Sequence, residues 1–182
     1  MEILRNKPVA LLLCLLMIAC SCLVGAGTSL RQLRRQTEDV FLLGGDGSGI
    51  GISHDLRELA AQSYNLVVLA RNYMPENDEA ILAVLDRRVE LLDATTPKES
   101  FRAAQELTTA ARLLAATLEA MDLNQQDRTL LQKTLVNLAN TLGLLDANDY
   151  NPAAARFNRV LSEFPSNIFG PLTGVRPLEL YE

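Results

Sequence analysis

Apolar residues are distributed along the chain in two ways, first as one unbroken run and then as a periodic pattern. From Pro8 to Gly27 (PVALLLCLLMIACSCLVGAG) there is no charge, and the run approaches the roughly 20 residues a helix needs to cross a bilayer. Beyond it the spacing is helical. Leu30, Leu33, Thr37 and Val40-Phe41 continue a helix from the run until Gly44-Gly45 stops it. Ser53 is an N-cap for a second helix, with Asp55 in its first turn; Leu56, Ala60, Ser63-Tyr64, Val67, Ala70 and Met74 share one face, and Pro75 ends it. A third helix starts near Asn77-Asp78, places Leu82, Leu85, Val89 and Leu92 in a narrow seam, and ends at Ala94-Thr95.

Thr96-Pro97-Lys98-Glu99 is the best local signal, a capping threonine, a proline at the first helical position and a glutamate able to reach back. The helix it opens runs through Phe101, Ala104, Leu107-Thr108, Ala111, Leu114-Ala115, Leu118 and Met121, about 25 residues and about 37 Å. Asn124 caps a fifth helix whose Leu131, Leu135, Leu138, Leu142 and Leu145 have a heptad rhythm. Asn151-Pro152 opens a last one, lined by Ala153, Phe157, Val160-Leu161 and Phe164 before Pro165. No polar-apolar alternation suggests a sheet. The expected fold is all-α, an antiparallel bundle of four to five long helices after an N-terminal transmembrane helix. The tail from Phe164 to Glu182 is expected to be non-helical and to pack on the bundle through Ile168, Phe169, Leu172, Val175, Leu178 and Tyr181.

Charge and cysteine placement divide the 182 residues further. All three cysteines lie in the apolar run, and from Thr28 onward 15 basic residues face 21 acidic ones, a net charge of −6. That balance disfavours nucleic-acid binding, and no cysteine remains outside the run for a disulfide or zinc site. Three segments follow: residues 1–27 as membrane anchor or signal, 28–52 as a juxtamembrane helix and Gly-rich connector, and 53–182 as the bundle with its tail. Arg5 and Lys7 before the run suit both a single-pass cell-membrane anchor and a secretory signal cleaved near Val24 to Gly27. Met17-Ile18-Ala19-Cys20 resembles a degenerate lipobox, so a lipoprotein acylated at Cys20 is the alternative anchor. Arg31, Arg34 and Arg35 balance Arg5 and Lys7, which leaves the side occupied by the domain open.

The chemistry-bearing residue types form no catalytic, cofactor-binding or metal set. Gly44 to Gly51 lacks the Lys-Ser/Thr of a P-loop and heads no G-x-G-x-x-G. Read as a calcium loop from Asp46 it gains Ser48 and Gly51, but Ile50 falls at a ligand position and Arg57 where the bidentate glutamate belongs. It reads as a flexible connector. His54 is the only histidine; it cannot make a multi-histidine site, and no G-x-S-x-G marks a serine for it. The acids Glu76-Asp78-Glu79, Asp122-Asp127 and Asp146-Asp149 sit at helix ends and turns, where they cap or stay hydrated, and no Glu-x-x-His supports a di-iron bundle. Tyr64-Asn65 and Asp149-Tyr150-Asn151 suggest buried tyrosines with bonded hydroxyls. An acidic face would suit a basic partner.

The end of the chain has a recognisable order: Asp149-Tyr150-Asn151, Phe157-Asn158, Phe164-Pro165-Ser166-Asn167, Gly170, Gly174, Tyr181-Glu182. It resembles the Y-N...Y-N...F-P-x-N...G...Y-F-E ending of the LemA family, with Phe157 where tyrosine is common. The likeness covers residues 53–182, and the glycine loop at 44–51 departs from it. The resemblance implies a bacterial, membrane-anchored helical protein, and it brings no catalytic residue. A non-enzymatic tethered scaffold, offering a helix face or its apolar tail to a protein or membrane partner, is the first expectation. The alternative is a lipid or small-ligand module with a pocket lined by Tyr64, Tyr73 and Phe101.

Overall fold

A computed structural model describes residues 7–45 and 49–182. Seven α-helices and no strand occur among them: α1 (Lys7–Leu43), α2 (Ile52–Ala70), α3 (Glu79–Asp93), α4 (Pro97–Glu119), α5 (Gln125–Asp146), α6 (Tyr150–Ser162) and α7 (Ser166–Thr173). The chain separates into two compact units, one of residues up to 38 with 152–178, the other of residues 39–151 with 179–182. Helices α1 and α6 each contribute to both.

The larger unit is the bundle. Helix α2 packs on α3, α4 and α5, and α3 packs on α4, whereas α4 and α5 barely touch. The connections are short, so sequence neighbours alternate in direction. Leu59, Leu66, Val67, Ile81, Val84, Leu107, Leu114, Leu118 and the heptad-spaced Leu131, Leu138 and Leu145 form the core, each leucine contributing roughly 1.5–3 kcal/mol by burial. The helix starts follow from side-chain oxygens meeting orphan N–H groups. Thr96 and Glu99 make a reciprocal capping box at α4, and Asp78 accepts from Ala80 N at 2.9 Å at α3. Asn124 accepts from Asp127 N at 2.8 Å at α5.

Other expectations are corrected. Helix α2 begins after Gly51, not Ser53, whose Oγ instead donates to Leu42 O. Gly51 is demanded by space: a Cβ there would lie 2.6 Å from Phe41 O and 2.7 Å from Leu42 C. Helix α2 also closes at Ala70, ahead of Pro75, through turn bonds from Tyr73 N and Met74 N to Ala70 O. On α3 the buried stripe is Ile81, Val84 and Leu91, while Leu82, Val89 and Leu92 are exposed. Both stripes are apolar, so periodicity alone does not choose between them. At α6 the capping side chain is Asn148, which accepts from Asn151 N at 3.0 Å, three residues earlier than the Asn151-Pro152 cap suggested.

The smaller unit contains most of α1, the rest of α6, α7 and the tail to Leu178. The apolar part of α1 reaches a mean hydropathy of 2.7 with none of that window buried, so by length and composition it is compatible with a membrane anchor. Gly27, Leu30 and Thr37 mark its buried stripe. Gly27 lies so close to α7 that a Cβ would meet Thr173 Cγ2 at 2.7 Å, and Arg31 donates to Thr173 O at 2.8 Å. The tail was expected to be free of helix, yet Ser166–Thr173 is α7. Its end carries two closing bonds, Val175 N to Gly170 O and Gly174 N to Pro171 O, with Gly174 left-handed at φ 73°. Those are the bonds of a Schellman ending. Phe164, expected to line α6, is exposed.

Candidate functional site

Two side-chain amides on α6 clamp the C-terminal backbone. In the bundle unit, Asn151 Oδ1 accepts from Tyr181 N at 2.7 Å and its Nδ2 donates to Tyr181 O at 2.8 Å. In the smaller unit, Asn158 Oδ1 accepts from Leu178 N at 2.8 Å and its Nδ2 donates to Leu178 O at 2.9 Å. Each asparagine presents the donor-acceptor pair a neighbouring strand would offer. Tyr150 completes the clamp by donating from its hydroxyl to Glu179 O at 2.7 Å.

These bonds seat Tyr181 among rings. Its centroid lies 5.2 Å from that of Phe101, edge-on, and 6.5 Å from Phe41, which meets Tyr150 at 5.2 Å. Tyr181 is buried, and burial above all, then Asp146 and Asp55, raises its phenol well above the ordinary range. Its ring lines a groove of about 330 Å³ between the weakly touching α4 and α5. Asn151 and Asn158 thus each use both the oxygen and the nitrogen of the amide on the tail.

A cleft of about 340 Å³ opens beside the glycine segment, lined by Gly45, Gly51, Asp55, Asp149 and Tyr150 among others. The Asp55 carboxyl is raised chiefly by burial, against the opposing effect of His54. Among the described residues no group of three His, Cys, Asp or Glu side chains is placed to hold a metal; Asp46 and Ser48, two ligands of the calcium-loop reading, lie outside the described residues. His54 is exposed in the first turn of α2, and Cys14, Cys20 and Cys22 are exposed on α1.

The rings expected to share a pocket go to different partners. Tyr73 donates to Asp127, and that hydrogen bond is the main reason its phenol is raised; its oxygen also accepts from Asn124 Nδ2 at 3.1 Å. Tyr64 lies under Arg88, whose guanidinium carbon is 5.1 Å from the ring centroid. Phe101 packs on Tyr181. Asn65 lies on the exposed side of α2, its Nδ2 turned to Gln62. Sequence reasoning singled out Tyr150 and Asn151 but missed the backbone they hold, and missed Asn158 and Phe41 as partners. The available signal was the repeat of aromatic-Asn at 150-151 and 157-158, two helical turns apart on one face.

A family model described as LemA family matches residues 51–182. No curated protein matches the chain.

Proposed function

This chain belongs to the LemA family, and we propose that it is a non-enzymatic, single-pass, membrane-tethered scaffold that presents a helix face to a protein partner. The observation carrying this reading is how the signature residues are used. Tyr150, Asn151 and Asn158 spend their polar atoms on the chain's own C-terminal backbone, so the signature secures a fold rather than a reaction. The exposed apolar α1 supplies the tether.

Burial of Val175, Leu178 and Tyr181 withdraws that part of the tail from partners, which leaves helix faces. The outer face of α3 is favoured. It exposes Leu82, Val89 and Leu92 beside Asp86, Glu90 and Asp93, a mixture suited to a basic, amphipathic partner segment. Photo-cross-linkers placed at Leu82 and Val89 of the full chain in cells are expected to give a discrete protein adduct that Asp86→Lys weakens. Adducts to lipid and to the chain itself alone, from both positions, would contradict the reading.

A further inference from the structure

We propose that α7 and the turn before it form an interfacial element that inserts its apolar side into the surface of an anionic bilayer beside the end of α1. The inference rests on the reading of α1 as a membrane anchor.

Phe164 is 80% exposed, Ile168 51% and Leu172 67%. Ile168 and Leu172 are four residues apart in α7 and share its exposed face, and Phe164 is exposed in the turn just before it, a cluster of large apolar side chains of the kind that marks an interaction surface. Their unit places them near the right depth. Helix α7 ends at Thr173, which lies against Gly27, the end of the apolar run, and accepts a hydrogen bond from Arg31, the first charge after it. These two α1 residues are about 6 Å apart along the helix axis, so the end of α7 lies where the hydrocarbon gives way to headgroups.

Charge identifies the lipid. After Gly27 the smaller unit has six arginines (Arg31, Arg34, Arg35, Arg156, Arg159, Arg176) and two acids (Glu38, Glu163), a net charge of +4; the bundle unit has 9 basic and 19 acidic residues, a net charge of −10. A chain acidic overall therefore concentrates its positive charge in the unit that contains the anchor. Among the described residues Arg35, Arg156, Arg159 and Arg176 enter no salt bridge. Basic residues in the same unit as exposed apolar side chains, with Arg31 bonded to the end of α7, are the combination that binds anionic interfaces.

The absence of tryptophan makes the test direct. Full-length chain with Phe164→Trp is reconstituted into vesicles of phosphatidylcholine with phosphatidylglycerol, and separately Val136→Trp, an exposed position of α5, serves as reference. Lipids brominated near the top of the acyl chain are expected to quench the Phe164→Trp emission several-fold more than the reference, and more with phosphatidylglycerol than with phosphatidylcholine alone, since an interfacial helix buries its apolar side about 5–10 Å deep. Leu172→Trp guards against a local effect at Phe164 and is expected to behave alike. Quenching at Phe164 and Leu172 no greater than at Val136, in chain that resists alkaline extraction from the vesicles, overturns this inference and leaves the anchor standing. Chain that alkali releases overturns the anchor and this inference together. Equal quenching in neutral and anionic vesicles overturns the choice of an anionic surface.

Discussion

Asn151 holds Tyr181 by both edges of one amide, accepting from its N–H at 2.7 Å and donating to its C=O at 2.8 Å. Removing a partner from such a pair strands two backbone groups, and the cost exceeds that of an ordinary exposed hydrogen bond. Asn151→Ala is expected to destabilise the full chain by about 2–3 kcal/mol in detergent-solubilised chemical unfolding. Asn151→Asp keeps an acceptor for Tyr181 N but loses the donor, and should fall between the two.

Tyr181 supplies a pH dependence with a definite sign. Its folded pKa is raised above the ordinary 10.0, so above that pH the folded state binds more protons than the unfolded one. Stability is therefore fully present below about pH 10 and declines as pH rises beyond it. Tyr181→Phe keeps the ring and removes the titrating group. Its unfolding midpoint should lose less than the wild type between neutral and strongly alkaline pH; equal losses would show that the buried phenol is not responsible.

The glycines separate into those fixed by space and those that are not. A Cβ at Gly51 would strike backbone atoms of Phe41, Leu42 and Gly44, which cannot rotate away, whereas nothing lies within 4 Å of one at Gly143 in α5. Gly51→Ala is expected to cost several kcal/mol, on the order of an overpacked core site. Gly143→Ala should stabilise by about 0.5–1 kcal/mol from helix propensity. Thermal unfolding of the two variants side by side checks both signs.

At Gly27 the obstacle is a side chain, so a second substitution can relieve it. Gly27→Ala brings a methyl to 2.7 Å from Thr173 Cγ2 and 3.0 Å from its Cβ, and should destabilise the smaller unit by about 1–3 kcal/mol. Thr173→Ser removes the nearer atom and should recover part of that loss. Hydrogen exchange in α7 reads the effect locally; additive rather than compensating changes would count against the contact.

Where the side-chain pattern was one-sided, the sequence was legible. The α4 and α5 caps, the Leu131-Leu138-Leu145 seam and the apolar α1 follow from local signals that tertiary packing did not have to override. On α3 two apolar stripes overlap, and packing on α2 and α4 chose Ile81, Val84 and Leu91. Helix α7 escaped notice because Pro165, Gly170 and Pro171 read as breakers, although Pro165 precedes the helix and Gly174 ends it. The site was half legible: aromatic-Asn pairs two turns apart mark a face of α6, but nothing local says that the face receives the chain's own last residues, 20 to 30 positions away.

Tethering requires that α1 stay in the membrane as a helix. Membranes from cells expressing the full chain and Cys20→Ser should be washed at alkaline pH and the retained protein measured against its intact mass. Retention of both, with no loss of the residues before Thr28 and no added acyl mass, is the predicted result. Release of the chain into the wash, or retention that disappears with Cys20→Ser, would contradict it.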